Sequence, residues 1–298
     1  MISVHANGLR FAVHEAVESG DRGLALCLHG FPELGYSWRH QLPMLARLGY
    51  RAWAPDLRGY GATERPPHLR DYAIETLMDD VTGLIEAAGE RSATIIAHDW
   101  GGLIAWFVAM HRPEVVDRFC VMNLPHPKLL AREVRHGDQL RRSLYVLAFQ
   151  VPGLAERLLA ADEYRRIENA FTTMAVDPTR FSDDDLRIYR EAAAQPGALR
   201  AMFSYYRAHV VGLGGHRMAR RGYPIVQAPT LMIWGEQDTA LGKATTVGTD
   251  ALCRDLVLRY VPDASHWVQQ EAPETVNAML EAWLTEAPVP QAWEVTSA

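Results

Sequence analysis

Apolar residues in this chain follow two rhythms, and the rhythms alternate. Short runs cover 2–5, 9–15, Leu24–Leu28, Ala52–Ala54, Thr94–Ala97, Phe119–Asn123, Leu231–Trp234 and Leu256–Val261. Their length and apolar content read as strands. The first two flank Asn7-Gly8, a pair that accepts the positive φ of a tight hairpin turn. The later runs are apolar almost throughout, as strands of a parallel sheet covered on both faces must be. Between them, apolar positions at 37–47, 75–88, 101–111 and 273–285 recur with helical spacing. This alternation predicts an α/β architecture: a mostly parallel, eight-stranded, doubly wound sheet with flanking helices.

One interval breaks the alternation. Between Asn123 and Pro229 the sequence offers no convincing strand, and a structureless loop of that size is improbable in a compact protein. Helical patterns fill it instead, at 138–149, 153–173, 183–194 and 197–209. Ser182 followed by three Asp residues is an N-cap with an acidic first turn. The expected organisation is a core of 1–125 and 223–298 with a helical cap, 126–222, inserted into it.

Composition narrows the function classes. The 298 residues are 48% hydrophobic and 22% charged, with a formal net charge of -6. No basic block stands out, which argues against nucleic acid as a partner. The arginines around 132–142 and 217–221 read as solvated helix faces. No apolar run reaches the roughly 18 residues of a membrane span. The N-terminal stretch lacks a basic segment followed by an apolar core, so no signal peptide is expected. Cys27, Cys120 and Cys253 are far apart, each in an apolar run, and read as small core residues. A reduced, cytoplasmic protein is the expectation.

Candidate chemistry sits at strand ends: His29-Gly30-Phe31-Pro32, Asp99, Asp238 and His266. In an open α/β sheet, ligands gather beyond the carboxyl ends of the strands, so these segments can converge. The order nucleophile, acid, histidine is that of α/β-hydrolases, and Ala97-x-Asp99-x-Gly101 stands where those enzymes carry Gly-x-Ser-x-Gly. The stretches LCLHGFPELGYSWRHQLP (26–43), APDLRGYGATERP (54–66), IIAHDWGGLIAW (95–106), WGEQDTALG (234–242) and DASHW (263–267) carry a closer likeness. Through them the chain resembles the α/β-hydrolase superfamily and, within it, the epoxide hydrolases of the Asp-nucleophile branch. Ala97 in place of the first elbow glycine is the one departure in that motif.

The resemblance implies a nucleophilic Asp99, a triad completed by Asp238 and His266, and an oxyanion hole from the backbone N–H groups of Phe31 and Trp100. An Asp after a strand is more often a helix N-cap, but the HDWGG context favours the nucleophile. Glu236 is the rival acid. His29 and His98 read as bracing residues, Glu33 as either a loop brace or a pocket residue, and Asp56, Arg58 and Tyr60 as a structural loop. Phe31, Trp100 and Trp267 are expected to touch substrate. No cofactor or metal is expected.

A carboxylate suits this place for a chemical reason. With a reference pKa near 3.9, Asp is ionised at neutral pH and needs no base to attack. Attack on an acyl carbon would give a mixed anhydride, whereas attack on a saturated electrophilic carbon gives an alkyl ester. Epoxides and haloalkanes are such electrophiles. An opening epoxide needs acidic donors such as Tyr, while a departing halide takes indole or amide N–H groups. No tryptophan falls within 126–222, and Phe31 stands where an Asn halide donor would. The segments SLYVLAFQVPGLAE (143–156) and ALRAMFSYYRA (198–208) resemble those carrying the two cap tyrosines of epoxide hydrolases, which implies Tyr145 and Tyr206. Helical spacing agrees, since Leu199, Phe203 and Tyr206 share one face. Tyr164, Tyr189 and Tyr205 are the reserves.

The expected function is therefore hydrolysis of an epoxide by water to a vicinal diol, by a monomer or homo-oligomer with no nucleic-acid or membrane partner. The alternatives are a haloalkane dehalogenase, a haloacetate dehalogenase (whose relatives carry HDRGG where this chain has HDWGG), and a ligand receptor that keeps the hydrolase fold.

Overall fold

A computed structural model describes residues 1–135, 137–209 and 220–295. Eight strands form one sheet: β1 (Ile2–Ala6), β2 (Leu9–Ala16), β3 (Leu24–Leu28), β4 (Arg51–Pro55), β5 (Ala93–His98), β6 (Val116–Met122), β7 (Thr230–Gly235) and β8 (Leu256–Val261). Their spatial order is β1-β2-β4-β3-β5-β6-β7-β8. The β1/β2 and β2/β4 pairs are antiparallel, and every other pair is parallel. The expected eight-stranded, mostly parallel sheet is the one observed.

The apolar strands are apolar for both faces. Leu24, Leu26 and Leu28 of β3 point into one core, while Ala25 and Cys27 point into the other. Ile95 and Ala97 divide from Ile96 in the same way, as do Phe119 and Val121 from Cys120 and Met122. The first core is closed by helices α2 (Ile74–Ala87) and α3 (Asp99–His111). The second is closed by α1 (Leu42–Arg47) and the helix Pro273–Leu284. The period-2 geometry of a strand sends neighbours to opposite faces, so a strand covered on both is apolar nearly throughout.

Helix α3 differs from an ordinary flanking helix. Every residue from Trp100 to Met110 is buried, so it has no solvent face. A helix apolar all round must be packed all round. Cys27, Cys120 and Cys253 are buried and free.

Between β6 and β7 the described residues form helices α4 (Pro127–Glu133), α5 (Gly137–Arg142), α6 (Tyr145–Phe149), α7 (Leu154–Ala160), α8 (Arg165–Met174), α9 (Asp183–Ala194) and α10 (Ala198–His209). Residues 136 and 210–219, within the expected cap of 126–222, lie outside the described residues, as does 217–219 of the expected arginine cluster. The Ser182 cap forms: its hydroxyl accepts from the Asp185 N–H, and the Asp185 carboxylate accepts from the Ser182 N–H. Two expected helices are each split. The stretch 138–149 breaks between α5 and α6, and 153–173 breaks at Asp162, Glu163 and Tyr164, whose φ values are 54°, 53° and 65°. A helix cannot pass through a left-handed run, although side-chain periodicity continues across it. The expected helix at 37–47 likewise resolves into a 3-10 turn, Gly35–Trp38, followed by α1 with Pro43 in its first turn. Among the described residues no helix is long and apolar enough to cross a membrane.

Candidate active site

Asp99 is the first residue of α3, immediately after β5, and its backbone is left-handed with φ of 46°. That conformation is strained for a non-glycine residue and persists only where the surroundings over-determine it. Two glycines show how tightly they do. A Cβ on Gly30 would stand 2.4 Å from both Cβ and Oδ1 of Asp99, and one on Gly101 would stand 2.3 Å from the Leu28 carbonyl oxygen. Gly101 uses that closeness to donate its N–H to the His29 carbonyl at 2.9 Å. The sharp turn lifts the carboxylate clear of the helix, and Phe31 N–H donates to Oδ1 at 2.8 Å. Oδ2 faces Nε2 of His266 at 3.8 Å.

His266 follows β8 and is oriented from behind. Its Nδ1 donates to Asp238 Oδ2 at 2.8 Å. Asp238, in the loop after β7, has its four hydrogen-bond sites filled. Oδ2 also accepts from Asn123 Nδ2 at 2.8 Å, and Oδ1 accepts from the N–H groups of Ala240 and Leu241, each at 2.8 Å. Burial alone would raise the Asp238 pKa, but the His266 charge, its hydrogen bond and the Asn123 amide hold it below the ordinary range. Burial works against a charged His266, yet Asp238, Asp99 and Glu33 outweigh it and raise its pKa to about 9. The rival acid Glu236 is turned away, paired with Lys243 at 2.6 Å.

Beneath this group lies a second carboxylate. Glu33 is fully buried and accepts four N–H donors: Gly30 N at 2.9 Å, His98 Nδ1 at 2.6 Å, and the side-chain amides of Gln269 and Gln270 at 2.9 Å each. Burial would lift its pKa, but the His98 ring and the donors around it hold it down at about 2. His98 Nε2 donates to the His266 carbonyl at 2.8 Å, since a carbonyl can only accept. Glu33 thus braces three segments and does not line the pocket. His29 is a brace too. Its Nε2 accepts from Leu57 N–H at 2.9 Å, which leaves Nδ1 to donate to the Gly30 carbonyl at 2.8 Å.

A cavity of about 250 Å³ opens over Asp99. Phe31, Pro32, His266 and Trp267 line it from the core side. From the cap side come Tyr145 and Tyr206 with the apolar Phe149, Leu159, Ile167 and Met174. Tyr206 is 6% exposed and wedged edge-on against Trp100, Phe31 and Phe149. Tyr145 is 44% exposed overall and also lines the cavity opposite the core side, its ring edge-on to Phe149. Burial, Tyr145 and Asp99 push the Tyr206 hydroxyl well above the ordinary phenol range. Burial and Asp99 raise Tyr145 likewise. Both therefore stay protonated at neutral pH and stand as donors.

Most of the expected residues meet here: Asp99, His266, Phe31, Tyr145, Tyr206 and Trp267 all line the cavity, with Asp238 directly behind His266. Trp100 is not among the residues lining the cavity; its ring packs edge-on against Tyr206, which does line it. Two of the three reserves are engaged elsewhere: Tyr205 donates to the Arg58 carbonyl at 2.9 Å, and Tyr189 bonds Ser37 and Gln270. Asp56, read as part of a structural loop, accepts from the Gly35 and Ala62 N–H groups. Sequence reasoning missed Asn123. It treated this residue as the end of a strand, whereas its φ of 42° takes it out of β6 and over Asp238. A polar residue closing an apolar run was the available signal.

A carboxylate, a histidine hydrogen-bonded to a second carboxylate, and two phenols thus surround one apolar cavity. A family model described as the alpha/beta hydrolase fold matches residues 25–273. Epoxide hydrolase 4 of Mus musculus is 35% identical over 294 residues, covering 96% of this chain and 79% of the relative. AB hydrolase superfamily protein YfhM of Bacillus subtilis (strain 168) is 36% identical over 283 residues, covering 94% of this chain and 96% of that protein. Among solved structures, an epoxide hydrolase from Bacillus megaterium in complex with an inhibitor superposes with a TM-score of 0.86 at 28% identity, covering 95% of this chain and 100% of that one.

Proposed function

The chain belongs to the α/β-hydrolase superfamily and, within it, to the epoxide hydrolases; from that premise we propose that it opens epoxides through a covalent ester on Asp99. It acts as a hydrolase on epoxides, with water as the second substrate. The observation that carries the covalent reading is the pair of unlike oxygens on Asp99: Oδ1 held by the Phe31 N–H, and Oδ2 free toward His266 and the cavity.

Asp99 Oδ2 attacks a ring carbon of the oxirane. A C–O bond forms to the protein as the ring C–O bond breaks, and the leaving oxygen takes a proton from Tyr145 or Tyr206. Asp99 raises the pKa of both phenols and of His266. Its charge moves onto the epoxide oxygen as the ring opens, so the phenols become better acids when a proton is wanted. The resulting ester is neutral, so His266 loses one of the charges that keep it protonated and gives its proton to the tyrosinate. His266 then takes a proton from water, whose oxygen attacks Cγ of Asp99. Charge builds on Oδ1, where the Phe31 N–H already points, joined by the Trp100 N–H at the unfilled start of α3. Collapse releases the diol and the Asp99 carboxylate, whose charge again holds on His266 the proton taken from water, so the starting state is restored. Epoxide and water are consumed, and one diol is formed.

The test is to block the second step and weigh the protein. With His266→Gln and styrene oxide, the intact mass rises by one whole epoxide, and the adduct maps to Asp99. Halide release from a haloalkane with an alkyl adduct would assign a dehalogenase instead. Tight reversible binding with no adduct from either electrophile would assign a receptor.

A further inference from the structure

The loop that carries Asp238 is gripped from the cap. Helix α5 places Gln139, 5% exposed, against residues 240–242. The Gln139 amide donates from Nε2 to the Ala240 carbonyl at 2.9 Å and accepts at Oε1 from the Gly242 N–H at 2.9 Å. It meets the loop as a neighbouring strand would, donor to carbonyl and acceptor to N–H two residues on. Its second amide hydrogen goes to Ser143 Oγ at 3.1 Å, so no polar atom of the amide is idle. One turn further along, Arg142 Nη1 donates to the Asp238 carbonyl at 2.7 Å.

The peptide unit that Gln139 holds is the same one that holds the triad acid. Its carbonyl belongs to Ala240 and takes the Gln139 donor, while its N–H belongs to Leu241 and donates to Asp238 Oδ1 at 2.8 Å. A hydrogen bond onto a peptide carbonyl polarises the N–H at the other end of that peptide, and such chains strengthen cooperatively. The line runs from Gln139 through peptide 240–241 to Asp238, and from Asp238 Oδ2 to His266 Nδ1 at 2.8 Å.

We infer that Gln139 is a positioning residue for Asp238, so that the seating of α5 on the core sets how well His266 drives hydrolysis of the ester. The inference rests on the epoxide hydrolase reading above and is narrower than it. Asp238 serves the second half-reaction, since Asp99 attacks an epoxide without a base. Loosening Gln139 therefore slows breakdown of the ester and leaves its formation alone, whereas simple loosening of the cap would disturb both, because Tyr145 and Tyr206 are cap residues.

Rapid-quench intact-mass measurement with styrene oxide separates the two rates. In Gln139→Leu, ester formation stays within about twofold of the unsubstituted protein, while ester breakdown slows by about tenfold, the scale of one hydrogen bond, and the Asp99 adduct accumulates during turnover. Gln139→Glu keeps the acceptor for Gly242 but, ionised, has no donor for Ala240. It shows the same split with the loop still tethered, and it carries the comparison if the leucine variant does not fold. Unchanged breakdown in both variants, or formation and breakdown falling together, overturns the inference. Absence of any adduct in His266→Gln would instead overturn the reading of the reaction, so the two failures are distinguishable.

Discussion

Replacing Asp99 by Asn should lower the pKa of His266, and the geometry sets the size of the drop. The two groups are 3.8 Å apart and His266 is 4% exposed. Unit charges about 4 Å apart interact by about 1 kcal/mol in bulk water and about 4 kcal/mol at an effective dielectric near 20. At about 1.36 kcal/mol per pKa unit, those limits correspond to roughly 0.7 and 3 units. A buried pair belongs in the upper part of that range, so a fall of about 1 to 3 units from about 9 is expected. The sign follows from removing a negative neighbour, which disfavours the protonated ring. Asparagine is the informative substitution because its side-chain oxygen can still accept the Phe31 N–H, which leaves the elbow in place. The assay is a pH titration of imidazole resonances, with His266 assigned by comparison with His266→Gln. An Asp99→Asn titration that does not move, or moves upward, refutes the idea that forming the ester switches His266 from acid to base.

Three other outcomes follow from the same geometry. Tyr145→Phe and Tyr206→Phe should each slow ester formation, and together by about 10²–10⁴-fold, the scale of general acid catalysis; stopped-flow alkylation rates check this, and an undiminished double variant would remove the pair from the reaction. Gly101→Ala forces a Cβ to 2.3 Å from the Leu28 carbonyl oxygen and should destabilise the fold by about 1–3 kcal/mol, read by urea denaturation. The raised pKa of His266 stabilises the fold fully below its ordinary 6.5, and that stabilisation is lost as pH rises through about 9. Melting temperature should therefore fall across that window more steeply in the unsubstituted protein than in His266→Gln.

The sheet was legible in the sequence because burial on both faces leaves a strong trace, an unbroken apolar run with a chemical group at its carboxyl end. That trace located β3 to β8 and the loops bearing Asp99, Asp238 and His266, while the Asn7-Gly8 turn located β1 and β2. What it could not carry was backbone sign and side-chain direction. The left-handed residues 162–164 interrupt a helix whose apolar spacing runs on undisturbed, and Asn123 looks like a strand residue until its positive φ turns it over Asp238. Glu33 was ambiguous for a related reason. A carboxylate beside a Gly-rich loop reads alike whether it faces the pocket or, as here, accepts four donors beneath it. The Trp100 ring, next to Asp99 in sequence, packs edge-on against Tyr206 and is not among the residues lining the cavity.

The all-round burial of α3 gives the helix a distinctive mutational fingerprint. In α2, tolerance to polar replacement should rise and fall with the helical turn, because Leu77, Val81 and Leu84 are buried while Asp79 and Glu86 are exposed. In α3 the same scan should show no rhythm, with intolerance running level from Trp100 to Met110. Variation across relatives would be muted there for reasons of packing alone, even at positions remote from the chemistry. The helix that begins at Asp99 is thus the part of the molecule with the least freedom to drift, and new specificities have to be found in the elements that face it.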